Sequence, residues 1–285
     1  MQPALIKSEP KPRSRGWLVI LDYVFYALVV AVLCGLAYYL YSFRDTILLD
    51  FPFLLQGAGV TIIISIVSMI LATLLGFIGA LGRLSRFAIV RAIGVTYVEV
   101  VRGTPVLVQL LLWYYGIGTF LSALGFDPYT IAFQALTPLQ SNSLVPDGFN
   151  SFFYGIIGLS FNYGAYLTEV FRTGIESVQK GQTEAALSLG LNSGQTMRRI
   201  VLPQAFRITI PPFTNYFITL IQDSALLATL SVIELEQQTY SLAFPLTNAN
   251  TKLFVFILGA LVYLAVCYPL TVLARHLERR MQVAY

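Results

Sequence analysis

Residues Gly181–Pro203 read GQTEAALSLGLNSGQTMRRIVLP, the most polar long interruption between apolar segments of the chain. The stretch has helix chemistry of its own. Glu184-Ala185-Ala186-Leu187-Ser188-Leu189 is a run of good helix formers. Gly190 stops it, as glycine does just past a helix end. Asn192 suits the cap of a second short helix, with Gln195 three residues on to complete a reciprocal pair. Arg198 and Arg199 follow, and Pro203 marks a new helix start. Two short helices with a tight glycine break suit a docking knob. Ala185, Ala186 and Gly190 would let a partner surface approach the backbone closely.

The surroundings of this stretch are those of a membrane protein. Of 285 residues, 56% are hydrophobic and 11% charged, with mean hydropathy +0.72. Soluble domains carry about 25% charged residues. The reading is an all-α polytopic membrane protein with about six transmembrane helices. The net charge of +4 then speaks about topology rather than nucleic acid. Cys34 and Cys267 lie inside apolar segments and read as small apolar residues, not as disulfide partners or metal ligands.

Six apolar runs follow in order. Met1–Arg15 is a basic, proline-bearing tail without a convincing cleavage site. Trp17–Tyr41 is long enough to span, with Trp17 and the Tyr38, Tyr39, Tyr41 cluster at its two interfaces; Asp22 near its inner end reads as snorkelling or paired. Phe53–Leu81 carries Thr61, Ser65 and Ser68 on one helical face. Ile93–Phe120 contains Glu99 and Arg102, which can pair at i, i+3, and Pro105, which should kink the helix. Leu121–Asn150 is a looser outer loop with Asp127, Pro128, Pro138, Pro146 and Asp147. Ser151–Phe171 carries Asn162, Tyr166 and Glu169 on one face. Gln204–Ile233 has Pro211 and Pro212 in bent first turns, then Asn215, Thr219 and Gln222 on one face beside Asp223. Glu234–Asn250 reads as a second outer loop, and Leu253–Ala274 as the last span. His276, the single histidine, sits in a charged tail and reads as solvated.

The basic residues test this topology. With the N-terminus inside, fifteen of the 18 Lys and Arg fall on the cytoplasmic side. Arg44 and Lys252 fall outside, and Arg102 lies within a helix. The asymmetry places Gly181–Pro203 in the cytoplasm, with both termini.

The spacing in the opening stretch resembles a known family. Glu-Ala-Ala, three residues, Gly, nine residues, Ile, one residue, Leu-Pro is met at Glu184, Ala185, Ala186, Gly190, Ile200, Leu202 and Pro203. It resembles the cytoplasmic coupling loop of permease subunits of ABC importers. Arg102-Gly103-Thr104-Pro105, Trp113-Tyr114-Tyr115-Gly116, Phe161–Tyr166 and Glu169–Arg172 resemble the polar amino-acid branch, the histidine, glutamine and arginine permeases. The family often has Lys before the aspartate at 223; this chain has Gln222.

The resemblance covers about Gln56–Arg275. It implies a five-helix permease core with one added N-terminal helix: a tail over 1–16, the extra helix and outer loop over 17–52, the permease domain over 53–275 with the coupling loop at 181–203, and a cytoplasmic tail over 276–285. It implies docking to an ATPase through Gly181, Glu184, Ala185, Ala186, Gly190, Ile200, Leu202 and Pro203, in a bacterial inner membrane. ATP and Mg would sit on a dimer of ATP-binding cassette subunits, and no cofactor on this chain. A second permease chain and an extracytoplasmic amino-acid-binding protein would complete the importer, with lipid around it and no nucleic acid.

No Gly-x-x-x-x-Gly-Lys-[Ser/Thr] loop, nucleophile elbow or zinc signature is present, so ATP hydrolysis must come from another chain. The polar faces admit two readings: hydrogen bonds between helices, or the lining of a substrate path through Thr61, Ser65, Ser68, Asn162, Tyr166, Glu169, Asn215, Thr219, Gln222 and Asp223. An ion-gradient-driven transporter or channel is the alternative; it predicts inverted repeats or paired broken helices, which the sequence does not display. A membrane enzyme would need clustered catalytic residues, and none is found.

Overall fold

The computed structural model describes residues 16–136, 145–146 and 148–282. Among them every regular element is helical. The basic tail, Pro138 and Asp147 lie outside the described residues. The chain forms two compact units, Met1–Leu49 and Asp50–Tyr285. The first holds α1 (Gly16–Ser42), 27 residues of apolar helix, long enough to cross a bilayer. Helix α2 (Arg44–Arg83) begins in it and continues through Pro52 into the second.

The second unit is a helical bundle. After α2 come α3 (Ala88–Arg102), α4 (Val106–Leu111), a π-helical turn at Leu112–Gly118 and α5 (Thr119–Ala123). Helix α6 (Pro128–Leu136) follows, then α7 (Phe149–Glu176). The docking stretch holds α8 (Lys180–Ser188) and α9 (Ser193–Thr196). Helix α10 (Leu202–Asp223) passes into a 3-10 segment (Ser224–Leu230), then α11 (Leu235–Ala243) and α12 (Ala249–Gln282).

Among the described residues, four helices are long and apolar enough to cross a membrane: Ile20–Ser42, Arg44–Arg83, Val106–Ala123 and Ala249–Arg280. The bent pair Ser193–Leu230 and Leu235–Ala243 makes a fifth crossing when taken as one broken span. Helix α7 has the length of a crossing, and half of its residues are buried. It packs against α3, α4, the π turn and α10, so protein rather than lipid surrounds much of its polar side.

Lipid tails are as apolar as leucine, so close packing rather than water release holds such a bundle together. Ile64, Met69, Leu110, Leu159, Tyr163, Leu167, Leu220 and Leu227 form its core. Glycine sets the closest approaches. A Cβ on Gly76 would lie 2.6 Å from the Leu167 Cβ, and one on Gly174 would lie 2.3 Å from the Thr209 Cγ2. Larger residues there would push α2 and α10 off α7.

Three parts of the expected layout change. The run Ile93–Phe120 is not one kinked helix: α3 ends at Arg102 and a new helix starts at Val106. Pro105 has no N–H and is extended at ψ 138°, and proline also disfavours helix in the residue before it. The run Glu234–Asn250 is not an open loop: α11 fills much of it, packed on α12. Leu121–Asn150 also holds a helix, α6. Asp127 ties its start to α7, accepting from the Thr130 Oγ1 at 2.5 Å and the Asn150 Nδ2 at 2.6 Å. Those bonds, the Thr130 side chain first, hold the Asp127 carboxyl below its usual pKa.

Candidate functional site

The docking stretch folds as its local chemistry dictates. Gly190 adopts φ +85°, the left-handed conformation that glycine reaches without strain. Its N–H donates to the Leu187 carbonyl at 3.0 Å, and the Leu191 N–H donates to the Ala186 carbonyl at 3.2 Å. These two bonds are the Schellman closure of α8. Asn192 Oδ1 accepts from the Gln195 N–H at 2.9 Å, and Gln195 Oε1 accepts from the Asn192 N–H at 3.0 Å. The capping box is therefore complete.

Pro203 opens α10, but the backbone does not restart there. The run is continuous from Ser193, through a π turn at Met197–Val201. Proline removes one helical hydrogen bond and crowds the carbonyl four residues back; the widened turn gives that room.

The stretch has an outward and an inward side. Gly181, Glu184, Ala185, Gly190 and Pro203 are exposed, and Leu189 is 82% exposed. Ile200 and Leu202 are half-buried. Ala186, expected on the docking surface, is 5% exposed and faces the interior of its own chain. The 100° step between successive helical residues puts Ala185 and Ala186 on different sides. Below, Val178, Val201 and Ala205 form an apolar base joining the end of α7 to the start of α10. Gln204 Nε2 donates to Gln182 Oε1 and, at 2.9 Å, to the Ile200 carbonyl. The base locks the outward side to two bundle helices. Leu189, absent from the sequence-based set, is its most protruding apolar group; its place between the helix end and the turning glycine is the signal for it.

The polar faces of the bundle do not meet around one cavity. Thr61, Ser65 and Ser68 on α2 are fully buried. Thr61 Oγ1 donates to Glu234 Oε2 at 3.2 Å, and the Ser68 carbonyl accepts from Ser160 Oγ at 3.3 Å. Asn162 is buried too, its Nδ2 donating to Gln109 Oε1 at 3.1 Å. Gln109 Nε2 in turn donates to the Val101 carbonyl at 2.7 Å and the Thr104 carbonyl at 3.1 Å. It thus satisfies carbonyls freed where α3 breaks.

Glu169 belongs to an ion-pair network. Arg83 Nη1 lies 2.5 Å from its Oε2, and Arg172 donates to both of its oxygens and to Glu176. The network fastens the end of α2 to α7 just before the docking stretch. The expected Glu99–Arg102 pair does not form among the described residues. Arg102 instead lies over the Tyr166 ring, 5.3 Å from its centroid, a cation–π arrangement.

One cluster remains partly open. Tyr163 OH donates to Asp223 Oδ2 at 2.7 Å. The Tyr163, Tyr166 and Tyr216 rings lie 5.3–6.5 Å apart, with Arg102 on the outer face of Tyr166. No Lys or Arg among the described residues forms an ion pair with Asp223, and residue 222 is an exposed glutamine. Asn215, Thr219 and Gln222 are exposed along α10, and Asn215 Nδ2 donates to Glu278 Oε1 at 3.4 Å. Of the expected path residues, then, Tyr166 and Asp223 share a cluster; Asn215, Thr219 and Gln222 share an exposed face beside it; Thr61, Ser65, Ser68 and Asn162 are buried; and Glu169 is held in the ion-pair network. Tyr163 and Tyr216 escaped the sequence reading because each stands one residue off a polar row, and Gln109 because it is isolated among apolar residues. No group of three or more His, Cys, Asp or Glu arranged for a metal occurs among the described residues.

Comparisons with known proteins agree on one family. Residues 72–283 match the model of the binding-protein-dependent transport system inner membrane component. A probable amino-acid ABC transporter permease protein of Bacillus subtilis, YckA, is 36% identical over 242 residues, covering 84% of this chain and 94% of that one. The L-cystine transport system permease protein TcyB of the same organism is 34% identical over 81% of this chain and 87% of its own. The glutamine transport system permease protein GlnP of Escherichia coli is 29% identical over 81% and 94%. A crystal structure of an amino acid ABC transporter with histidines superposes with a TM-score of 0.67 at 28% identity, over 82% of this chain and 97% of that one. An inward-facing MetNI methionine ABC transporter shares the fold, with a TM-score of 0.56 at 18% identity.

Proposed function

The chain belongs to the family of binding-protein-dependent transport system inner membrane components, and from that premise we propose how its polar regions divide the work. It is the membrane-spanning permease subunit of a bacterial amino-acid ABC importer. Such a subunit is not itself an enzyme; hydrolysis of ATP belongs to a separate chain. The relatives are named as permeases of ABC or transport systems, and none supports an ion-gradient mechanism.

The outward side of the docking stretch is the ATPase contact. Gly181, Glu184, Ala185, Leu189 and Gly190 fit a groove on a nucleotide-binding subunit that carries ATP and Mg. The observation that supports this is an exposed apolar tip on a base clamped to α7 and α10. A push on the tip moves both helices, and alternating access follows. The basic residues favour placing this end and both termini in the cytoplasm.

The substrate, a polar amino acid delivered by an extracytoplasmic binding protein, meets the cluster of Tyr163, Tyr166, Tyr216 and Asp223. An intramembrane carboxylate with one phenol donor and no cation is costly, and an ammonium group offsets that cost. Arg102 offers a donor for a carboxylate. The Thr219 hydroxyl is satisfied by the Asn215 carbonyl at 3.0 Å, but the exposed amides of Asn215 and Gln222 cannot face lipid without penalty. A second permease chain, identical or homologous, covers them across a two-fold axis, enclosing a polar path.

Uptake per assembled complex in liposomes tests the site. Asp223→Asn is expected to lower uptake at least tenfold, about 1.4 kcal/mol, with basal ATP hydrolysis and ATPase docking unchanged. Unchanged uptake in both Asp223→Asn and Asn215→Ala would remove α10 from the path.

A further inference from the structure

Glu234 is a buried carboxylate for which docking and substrate binding have no use. It is 0% exposed. It lies in the break of the fifth crossing, where the 3-10 segment ends at Leu230 and α11 starts at Leu235, bent by 51°. Ser231 in that break is left-handed, at φ 59°. Tyr263, one of the partners of Glu234, lies midway along the apolar span Ala249–Arg280, so the carboxylate sits deep in the bundle.

The groups around Glu234 decide what it can do. Oε2 accepts from Thr61 Oγ1 at 3.2 Å, Tyr263 OH at 2.8 Å and the Glu236 N–H at 2.9 Å. Oε1 accepts from the Gln237 N–H at 2.9 Å. Thr61 Oγ1 also accepts from the Leu235 N–H at 3.1 Å. All four of these partners donate to the carboxylate, which leaves no place beside it for a cation or an ammonium group. The helix end of α11 supplies two of the donors, where its dipole favours negative charge. One carboxylate therefore joins α2, α11 and α12 at the break in the crossing.

We infer that Glu234 is a positioning residue for transport: it fixes the start of α11 on α2 and α12, and so the shape of the cleft between α11 and the 3-10 segment that continues α10. That cleft, of about 680 Å³, has Thr229 on one wall and Glu236, Gln237, Tyr240, Ser241 and Phe244 on the other. Thr229, exposed on the 3-10 segment, follows the exposed row Asn215, Thr219 and Gln222 toward the break. The inference rests on the reading that α10 lines the substrate path, and it assigns the cleft as the mouth of that path at the end opposite the docking stretch. Close packing holds the outer wall: a Cβ on Gly57 would lie 2.9 Å from the Leu235 Cα. The carboxylate is then the polar lock on a seam already tightly fitted.

The test uses the assembled transporter with its ATPase and binding protein, in liposomes, in a background with Cys34 and Cys267 replaced by alanine. Spin labels at Thr229→Cys and Ser241→Cys report the distance across the cleft. In Glu234→Gln an amide NH2 replaces one acceptor and faces a backbone N–H. The expected result is a broadened distance distribution and a maximal uptake rate lower by about tenfold, with hydrolysis in the absence of binding protein unchanged. Tyr263→Phe, which removes one donor and keeps the cap, is expected to shift both in the same direction by less. An assembled Glu234→Gln complex with either wild-type distances or wild-type uptake overturns the inference. So does failure of Glu234→Gln to assemble together with wild-type behaviour of Tyr263→Phe, which would make Glu234 a folding element only. If Asp223→Asn leaves uptake intact while the distance change persists, the substrate site is wrong and the positioning role stands.

Discussion

Replacing Gly190 isolates the geometry of the docking loop from its contacts. The residue holds φ +85°, and a Cβ built there meets nothing within 4 Å. A side chain at 190 therefore costs backbone strain and no steric clash within the chain. For an L-residue in the left-handed region that cost is about 1–2 kcal/mol. Asparagine pays less, because its short polar side chain tolerates this region, and valine pays more. The strain acts on the two closing hydrogen bonds, Gly190 to Leu187 and Leu191 to Ala186. Only the closed loop carries the aligned outward side, so 1–2 kcal/mol lowers the closed population and weakens ATPase binding by up to about 5- to 30-fold. The expected order of affinity is Gly190, then Gly190→Asn, Gly190→Ala and Gly190→Val. Fluorescence titration of purified permease with labelled ATPase subunit measures it, with helix content by circular dichroism as the control. Equal affinities for the alanine and asparagine variants, or wild-type affinity for both, would refute the account, because the two differ chiefly in tolerance of positive φ.

Neighbouring alanines should behave oppositely: Ala185→Trp should assemble normally and lose ATPase binding, whereas Ala186→Trp should lower the folded yield and melting temperature, since Ala186 is buried in its own chain. Gln109→Leu strands the Val101 carbonyl and the Asn162 amide, and is expected to cost about 1–3 kcal/mol; in a thermal-melt cycle with Asn162→Leu, the double variant should lose less than the sum of the singles. Single cysteines at Ser193 and Asn248, both exposed, should react with an impermeant reagent from opposite sides of the membrane, Asn248 from outside in intact cells.

Much of the docking stretch was legible in the order of residues because its structure is local. A capping box needs Asn192 and Gln195 three apart, and a Schellman end needs Gly190 two residues past Ser188. The long crossings were legible for a similar reason: an apolar run either reaches across a bilayer or does not. What the tertiary structure alone decided was which side of each helix faces which. In a soluble helix, polar periodicity marks the side away from the core. Here lipid-facing and core-facing sides are both apolar, so a row such as Thr61, Ser65 and Ser68 looks the same whether it lines a path or fills a seam. Its burial, the inward turn of Ala186, the partnership of Gln109 with Asn162 and the capture of Glu234 by donors from α2, α11 and α12 all depend on contacts between residues far apart in the chain. Gln109 and Glu234 each serve a backbone break, and their importance arises only when those unpaired ends are buried where no water can reach them.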